Sequence, residues 1–362
     1  MGTTSIEWTE KTWNPLRGCS PVSPGCKNCY AERIAARFSG PGQPFEGFAK
    51  WRTKSGVQRD IAHEDLKLWA PGEREPAWTG KTALIPSKLT EPLSWASPTR
   101  VFVNSMSDLF HEGFTFAEIA TVFAIMAIGR HTYQVLTKRI DRALEFFEWM
   151  EKRDEPLGKL GDLYGLHVSP MRMPEEVWDD DRTNADDDLE AIYDAEWPLD
   201  NVWIGASVEN QKYADLRLPV LEKVPAAKRF VSYEPALGNV SLKRWLHEVC
   251  ADCGRDTHDD GRCQGSRIHA IDWVIVGGES GHGARAFDIG WARNVVEECK
   301  AAHIPVFVKQ LGARPYYDLP LSMVFRGGVV PTTTRIDVDL KSKKGGDIEE
   351  WPVDLRIREF PS

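Results

Sequence analysis

Cys19, Cys26 and Cys29 share one short stretch of chain, spaced C-x6-C-x2-C. Gly18 and Gly25 precede the first two, and Pro21 and Pro24 lie between them, so the stretch reads as a loop. After Cys29 the pattern turns helical through about Phe38. Structural zinc takes four ligands, so these three thiolates would need a distant histidine such as His63 or His111 to complete a site. They match a four-iron cluster (4Fe-4S) that leaves one iron without a protein ligand. An open iron can take the amino and carboxylate groups of S-adenosylmethionine (SAM). An electron from the reduced cluster then breaks a carbon–sulfur bond and releases a 5′-deoxyadenosyl radical. In such chemistry the protein supplies ligation, orientation and exclusion of water.

A second group, Cys250, Cys253, His258 and Cys263, follows C-x2-C-x4-H-x4-C with Gly254 after its second cysteine. Four such ligands within fourteen residues suit tetrahedral zinc, and binding would fold a loop too short to fold alone. The spacing is that of a zinc knuckle. Knuckles that grip single-stranded nucleic acid stack bases on apolar or aromatic side chains. Here Ala251 and Asp259 stand at those positions, and Asp252, Asp256 and Asp260 add negative charge, which favours a structural staple over a base-binding module. An auxiliary iron–sulfur cluster using His247 or His269 is a third reading. The seventh cysteine, Cys299, lies in a helical pattern and reads as a buried apolar residue.

The elements that must position these groups alternate along the chain. Short apolar runs at 83–86, 101–104, 133–137, 202–206, 229–233, 273–277 and 305–309 predict buried parallel strands. Helical patterns are expected over 88–96, 115–129, 140–152, 211–223, 242–249 and 290–302. The fold class predicted is α/β, a partial or complete parallel (β/α) barrel in a single domain over 1–362. Insertions are expected at 40–80 (lid-like), 153–200 (acidic, flexible) and 250–269 (knuckle-like). Residues just past the strands are polar and small, and in a barrel they converge on the C-terminal mouth. Candidates there are Asn104, Ser105, Ser107 and Asp108, then Lys138 and Arg139, Ser207 and Glu209, Glu234, Gly277, Gly278 and Glu279, and Lys309. Tyr30, beside the last cysteine of the loop, joins them. Asn104, Ser105, Ser107 and Asp108 suit the ribose or carboxylate of SAM, Glu209 and Glu234 an amine or ribose, and Lys138, Arg139 and Lys309 a carboxylate or phosphate. No catalytic residue is assigned.

Charge neither establishes nor excludes a polyanionic substrate. The total is −9, but residues 175–196 alone hold eleven acids against Arg182, a local −10 that leaves +1 for the rest. No apolar run is long enough to span a membrane, and the first ten residues lack an apolar signal core, so a cytoplasmic location is expected.

The phrase Trp13-Asn14-Pro15-x-x-Gly18-Cys19 … Gly25-Cys26-x-x-Cys29-Tyr30-Ala31 resembles a family of phage and bacterial proteins with a three-cysteine motif. So do the stretches at 103–110 (VNSMSDLF), 272–281 (DWVIVGGESG) and 307–312 (FVKQLG). That family is regarded as radical-SAM-like and as distantly similar to spore photoproduct lyase. The likeness covers most of the chain outside 40–80, 153–200 and 250–269. The common radical-SAM loop is spaced C-x3-C-x2-C, so the six-residue first gap here is a departure. Gly277-Gly278-Glu279 resembles the segment by which radical-SAM proteins meet the SAM amino group; the alternative is a turn whose glutamate caps the next helix. The resemblance implies a nucleic-acid base or nucleotide as substrate, in phage DNA modification or repair in a bacterial host, and a reductase as electron donor. The rivals are a metal-stabilised nucleic-acid- or partner-binding protein without catalysis, and a radical-SAM enzyme acting on a protein or small metabolite.

Overall fold

The computed structural model describes residues 4–54, 59–152, 197–246, 248–250, 267–281, 283–320 and 333–362. Its main sheet has seven parallel strands: β1 (Lys11–Trp13), β2 (Arg100–Val103), β3 (Thr132–Thr137), β4 (Val202–Ser207), β5 (Lys228–Tyr233), β6 (Trp273–Gly277) and β7 (Val306–Gln310). They lie in the sheet in chain order. A doubly wound sheet reverses its order at a switch point, so this uninterrupted order is that of a partial parallel barrel. Helices α1 (Tyr30–Arg37), α2 (Phe116–Ile128), α3 (Ile140–Glu151), α4 (Gln211–Leu221) and α5 (Ile289–Ala301) occupy connections between strands. None of the described helices is long and apolar enough to cross a membrane.

Six of the expected strands appear within a residue or two of their predicted bounds, because Val, Ile and Phe runs buried on both faces mark them. The first does not. Ala83–Leu84 pairs antiparallel with Leu16–Arg17, outside the main sheet. Its place is taken by β1, whose Lys11, Thr12 and Trp13 lie opposite Val101, Phe102 and Val103. Three residues are too few to show a period; Trp13 anchors them, fully buried, with its indole N–H donating to the Lys88 carbonyl at 2.7 Å. The helix expected over 88–96 is a single turn, Pro86–Leu89, and a 3-10 turn, Glu91–Ser94. Pro92 lacks the amide a continuous helix needs. The helix expected over 242–249 is also absent. A 3-10 turn, Lys243–Trp245, leads into a strand, Glu248–Cys250, which pairs antiparallel with Arg267–His269 and closes the neck of the 250–269 insertion.

The 40–80 insertion contains a small antiparallel sheet with Ala49–Thr53 between Asp60–Ile61 and Arg74–Trp78. Its Ala49 and Trp78 pack on Ala31, Ala35 and Ala36 of α1. The acidic 153–200 insertion lies outside the described residues except for 197–200.

The chain divides into two compact units, Met1–Ile204 with Lys223–Ala227, and Gly205–Glu222 with Lys228–Ser362. In the first, α2 and α3 bury Phe123 against Phe146, ring centroids 5.1 Å apart. In the second, α5 buries Val295, Val296 and Cys299, as expected for that cysteine. The start of α2 is set by a capping box: Thr115 Oγ1 accepts from the Glu118 amide (3.2 Å), and the Glu118 carboxylate accepts from the Thr115 amide (2.8 Å). Thr115→Ala should therefore lower the unfolding free energy by about 1 kcal/mol, measured by urea denaturation.

Candidate functional site

The site grows from the loops that leave β1 and β2 in the first unit. Asn14, directly after β1, accepts through Oδ1 from the Ser105 hydroxyl (3.2 Å) and the Met106 amide (2.9 Å). The Asn104 amide donates to Trp13 O (2.7 Å), the Ser107 hydroxyl donates to Leu16 O (3.1 Å), and Gly18 bridges Ser107. The two strand exits are thus zipped together as far as the first cysteine. Gly18 has φ +91°, and a Cβ there would overlap the Lys81 carbonyl oxygen, so only glycine fits. This fixes where Cys19 starts.

Cys26 ends a 3-10 turn, Pro24–Cys26, and Cys29 is the residue from which α1 springs. All three thiols are half-buried and unbridged. Cys19 and Cys29 pack against the alanine face of α1 together with Met106. Burial pushes the Cys19 thiol up to about 12; Asp108 adds to this, Arg139 opposes it, and Cys29 and Cys26 add again. Burial likewise pushes Cys29 up, against the Glu32 backbone amide and Lys138 and with Cys26. The three sulfurs therefore share one electrostatic neighbourhood. Without a cation Cys19 keeps its proton at neutral pH, and a metal would supply the missing positive charge and displace it.

Three soft sulfurs on one loop, with two cations from the β3 exit, fit an iron–sulfur cluster in donor chemistry. Among the described residues no three His, Cys, Asp or Glu side chains close on a single ion-sized point. What these thiols share is their type, their number and their surroundings. His111 is already engaged: Nδ1 accepts from the Gly113 amide (2.9 Å), so Nε2 carries the hydrogen and donates to Ser20 Oγ (2.8 Å). That tautomer also prevents His111 from acting as a base toward Ser20. Burial, then Arg139, holds its pKa below the usual histidine range. His63 lies against Gly40.

Arg139 clamps the cysteine loop. Its Nη1 meets Asp108 Oδ2 at 3.2 Å and Cys19 Sγ at 3.9 Å. Its Nη2 donates to Ser20 O and Oγ, both at 2.9 Å, and its Nε to Glu112 Oε2 at 2.7 Å. Asp108 completes its own shell with the Thr137 hydroxyl (2.7 Å), the Phe110 amide (3.1 Å) and the Lys138 amide (3.1 Å). Both side chains of the pair are 8% exposed.

Two candidates at these strand exits remain open. Asn104 is only 2% exposed, has φ +59°, and neither its Oδ1 nor its Nδ2 finds a hydrogen-bond partner. A buried carboxamide in left-handed backbone with both polar atoms unpaired is costly, and such features cluster where ligands bind. Lys138 feels the Cys29 thiol, and its ammonium makes no hydrogen bond among the described residues. Tyr30, by contrast, donates from its hydroxyl to Ser105 O (2.5 Å).

In the second unit the candidates are paired with one another or with neighbours. Glu209, fully buried, meets Arg217 at 2.9 Å, and that arginine also donates to Ser207 O at 2.7 Å. Glu234 takes Lys309 Nζ at 2.7 and 3.0 Å. Glu279 takes Arg285 at 2.6 and 3.0 Å and the Arg285 amide at 2.8 Å. The expected alternative, Glu279 as cap of the next helix, is corrected: Asp288 caps α5, accepting from the Gly290 amide at 2.8 Å. Gly278 is required because a Cβ would lie 2.6 Å from Leu311 O; at Gly277 the nearest atom is the Glu234 carboxyl carbon at 3.3 Å. Of the second cysteine group, Cys253, His258 and Cys263 lie outside the described residues; Cys250 stands opposite Arg267 at the neck of the insertion.

Sequence reasoning missed Asn14, Ser20 and Glu112. Asn14 and Ser20 adjoin the expected features, but only the zipped strand exits reveal what they hold.

Arg139→Met leaves Asp108 buried without its cation and should cost about 3–5 kcal/mol, with Arg139→Met/Asp108→Asn recovering part of it, both read by urea unfolding. Burial raises the Glu112 pKa, but its backbone and Arg139 hold it at about 2, below its ordinary 4.5. Its contribution is therefore fully present above pH 4.5 and is lost as the pH falls toward 2. Because the side chain is 61% exposed the effect is modest, and Glu112→Gln should flatten that part of the acid limb in thermal unfolding between these pH values.

No curated protein and no solved structure matches the chain. One family does, over residues 3–320, and it is described as "Protein of unknown function (DUF5131)". With most of its length matched, the chain belongs to the DUF5131 family.

Proposed function

We propose that this protein is a radical-SAM-like iron–sulfur enzyme that modifies or repairs a nucleic-acid base or nucleotide. The observation that carries the reading is the shared neighbourhood of Cys19, Cys26 and Cys29 on the loop leaving β1, beside the unsatisfied Asn104. The partial parallel barrel supports it, since strand exits are where such folds place their chemistry.

Cys19, Cys26 and Cys29 would hold a 4Fe-4S cluster, and SAM bound there supplies a 5′-deoxyadenosyl radical able to abstract a hydrogen atom. Arg139 donates toward the Cys19 sulfur and holds the Ser20 backbone, which orients that ligand and offsets negative charge. Lys138 adds a second cation near Cys29. Asn104 presents one acceptor and one donor pair, suited to a ligand bearing both an ammonium and a carboxylate. Trp8 and Trp13 are buried, against Phe102 and Tyr133 respectively, and pack the strands from which these exits lead. The nucleic-acid substrate class rests on the resemblance of the cysteine phrase and on the spacing of Cys250, Cys253, His258 and Cys263. Those four would hold a structural zinc on an insertion whose neck is the Glu248–Cys250 and Arg267–His269 strand pair.

Anaerobic reconstitution should give a brown protein with about four irons per chain and a reduced-state paramagnetic signal that SAM perturbs. Cys19→Ala, Cys26→Ala and Cys29→Ala should each abolish the signal, while about one zinc per chain stays bound. 5′-Deoxyadenosine should form with reductant, and comparison of single-stranded DNA, RNA and nucleotides identifies the substrate class by its effect on that rate. A colourless protein that binds no iron under these conditions overturns the reading.

A further inference from the structure

Helix α1 is built the wrong way round for a helix at the surface of a soluble domain. Its inner face is Ala31, Ala35 and Ala36, packed on the 49–78 sheet, with Glu32 turned inward to accept from the Trp78 amide at 2.8 Å. Its large apolar residues face out: Tyr30, Ile34 and Phe38, four apart, are 49%, 37% and 42% exposed. Residues at i, i+4 and i+8 form one continuous stripe. Val22 of the cysteine loop is exposed as well, at 43%. The described residues show few exposed large apolar side chains, and four of them belong to this loop and the helix it starts. Such concentration marks an interaction face.

On the stripe's own loop and helix the exposed charge has one sign. Lys27, Arg33 and Arg37 lie on the same loop and helix, and none takes part in an ion pair among the described residues. The one acid of the helix, Glu32, is buried and occupied. An apolar centre with unpaired cations at its rim fits an acidic protein surface. Four side chains make too small a patch for a stable dimer, which buries upwards of about 1,200 Å², but suit the brief encounters of electron-transfer partners. The aliphatic Ile34 and Val22 give nothing to a nucleic-acid base beyond contact, so a protein is favoured over nucleic acid. The helix also begins at Cys29, so this is the face presented by the same element that carries a thiol of the candidate cluster.

We infer that the outer face of α1, with Val22, is the docking site for an acidic one-electron carrier protein. This rests on the iron–sulfur reading for its purpose but not for its existence. In the step it serves, the carrier is oxidised by one electron and the cluster held by the thiols is reduced by one; no bond is made or broken.

An acidic flavodoxin serves as the probe, titrated in its oxidised form into the chain with and without reconstituted iron. Binding should weaken at least about tenfold in Arg33→Glu/Arg37→Glu, and with rising salt. Phe38→Ser should weaken it with little salt dependence; circular dichroism checks that both variants fold. With iron loaded, the rate of reduction by reduced flavodoxin, relative to that by dithionite, should fall by a similar factor. Equal flavodoxin affinity in wild type and variants overturns the proposal. So does a single-stranded DNA oligonucleotide that competes for the face and depends on the same cations. Variant-sensitive binding to a chain that takes up no iron keeps the docking face and removes the enzyme reading; iron uptake with variant-insensitive binding does the reverse.

Discussion

The buried pair of Arg139 and Asp108 is the constraint on which the first unit's chemistry depends. Removing two such charges from water costs several kcal/mol each, and one contact between them does not offset that. Here every direction is used. The guanidinium reaches Asp108, Glu112, the Ser20 backbone and hydroxyl, and the Cys19 sulfur, while Asp108 is bound by a hydroxyl and two amides. The pair stands between the exits of β2 and β3, and through Ser20 it reaches the loop that leaves β1. A lysine would offer one point where this arrangement needs a planar fork.

That clamp explains how a glycine- and proline-rich loop holds three half-buried thiols without a disulfide or a core of its own. Asn14, Ser107 and Gly18 zip its first part to the β2 exit, Arg139 pins Cys19 and Ser20, and α1 fixes its end. What the clamp does not do is make the thiols comfortable. Burial raises the Cys19 thiol; Asp108, needed to hold Arg139, raises it further, Cys29 and Cys26 add to that, and Cys26 also raises the Cys29 thiol. The Cys19 and Cys29 sulfurs are thus placed where the proton is held tightly, with Arg139 and Lys138 opposing that hold. Rigidity and electrostatic tension thus coincide on this loop, a combination that is commoner at functional sites than in structural loops.

The fold was legible because six of the sheet strands are buried on both faces and so appear as dense Val, Ile and Phe runs. β1 escaped because three residues carry no period; its strand character comes from Trp13 and from pairing with β2, which is tertiary information. The 242–249 stretch read as a helix because Leu242, Trp245 and Leu246 mimic helical spacing, yet the neighbouring residues are taken by pairing with Arg267–His269. At the site, cysteine type and spacing announced themselves. Arg139 was visible as a cation past a strand, but its role as a clamp depends on Asp108, Ser20 and Glu112, which lie 27 to 119 residues away in the chain. Glu279 shows the limit of a local pattern: the glycine-flanked glutamate offered a cap for the next helix, a place that Asp288 takes, while the Glu279 carboxylate pairs with Arg285.

Polar strand exits were the broadest sequence signal, and the structure divides them by whether their valences are filled. Glu209, Glu234 and Glu279 each have a cation at hydrogen-bond distance, which is how a barrel end closes when it serves stability. Asn104 has none, though it is only 2% exposed, and it sits in left-handed backbone that asparagine tolerates only at a cost. Natural structures seldom leave both ends of a buried carboxamide unmatched unless something else arrives to match them. At these strand exits a ligand that pairs with Asn104 would satisfy a buried carboxamide that the described residues leave unmatched, which sets this exit apart from the ion-paired ones of the second unit.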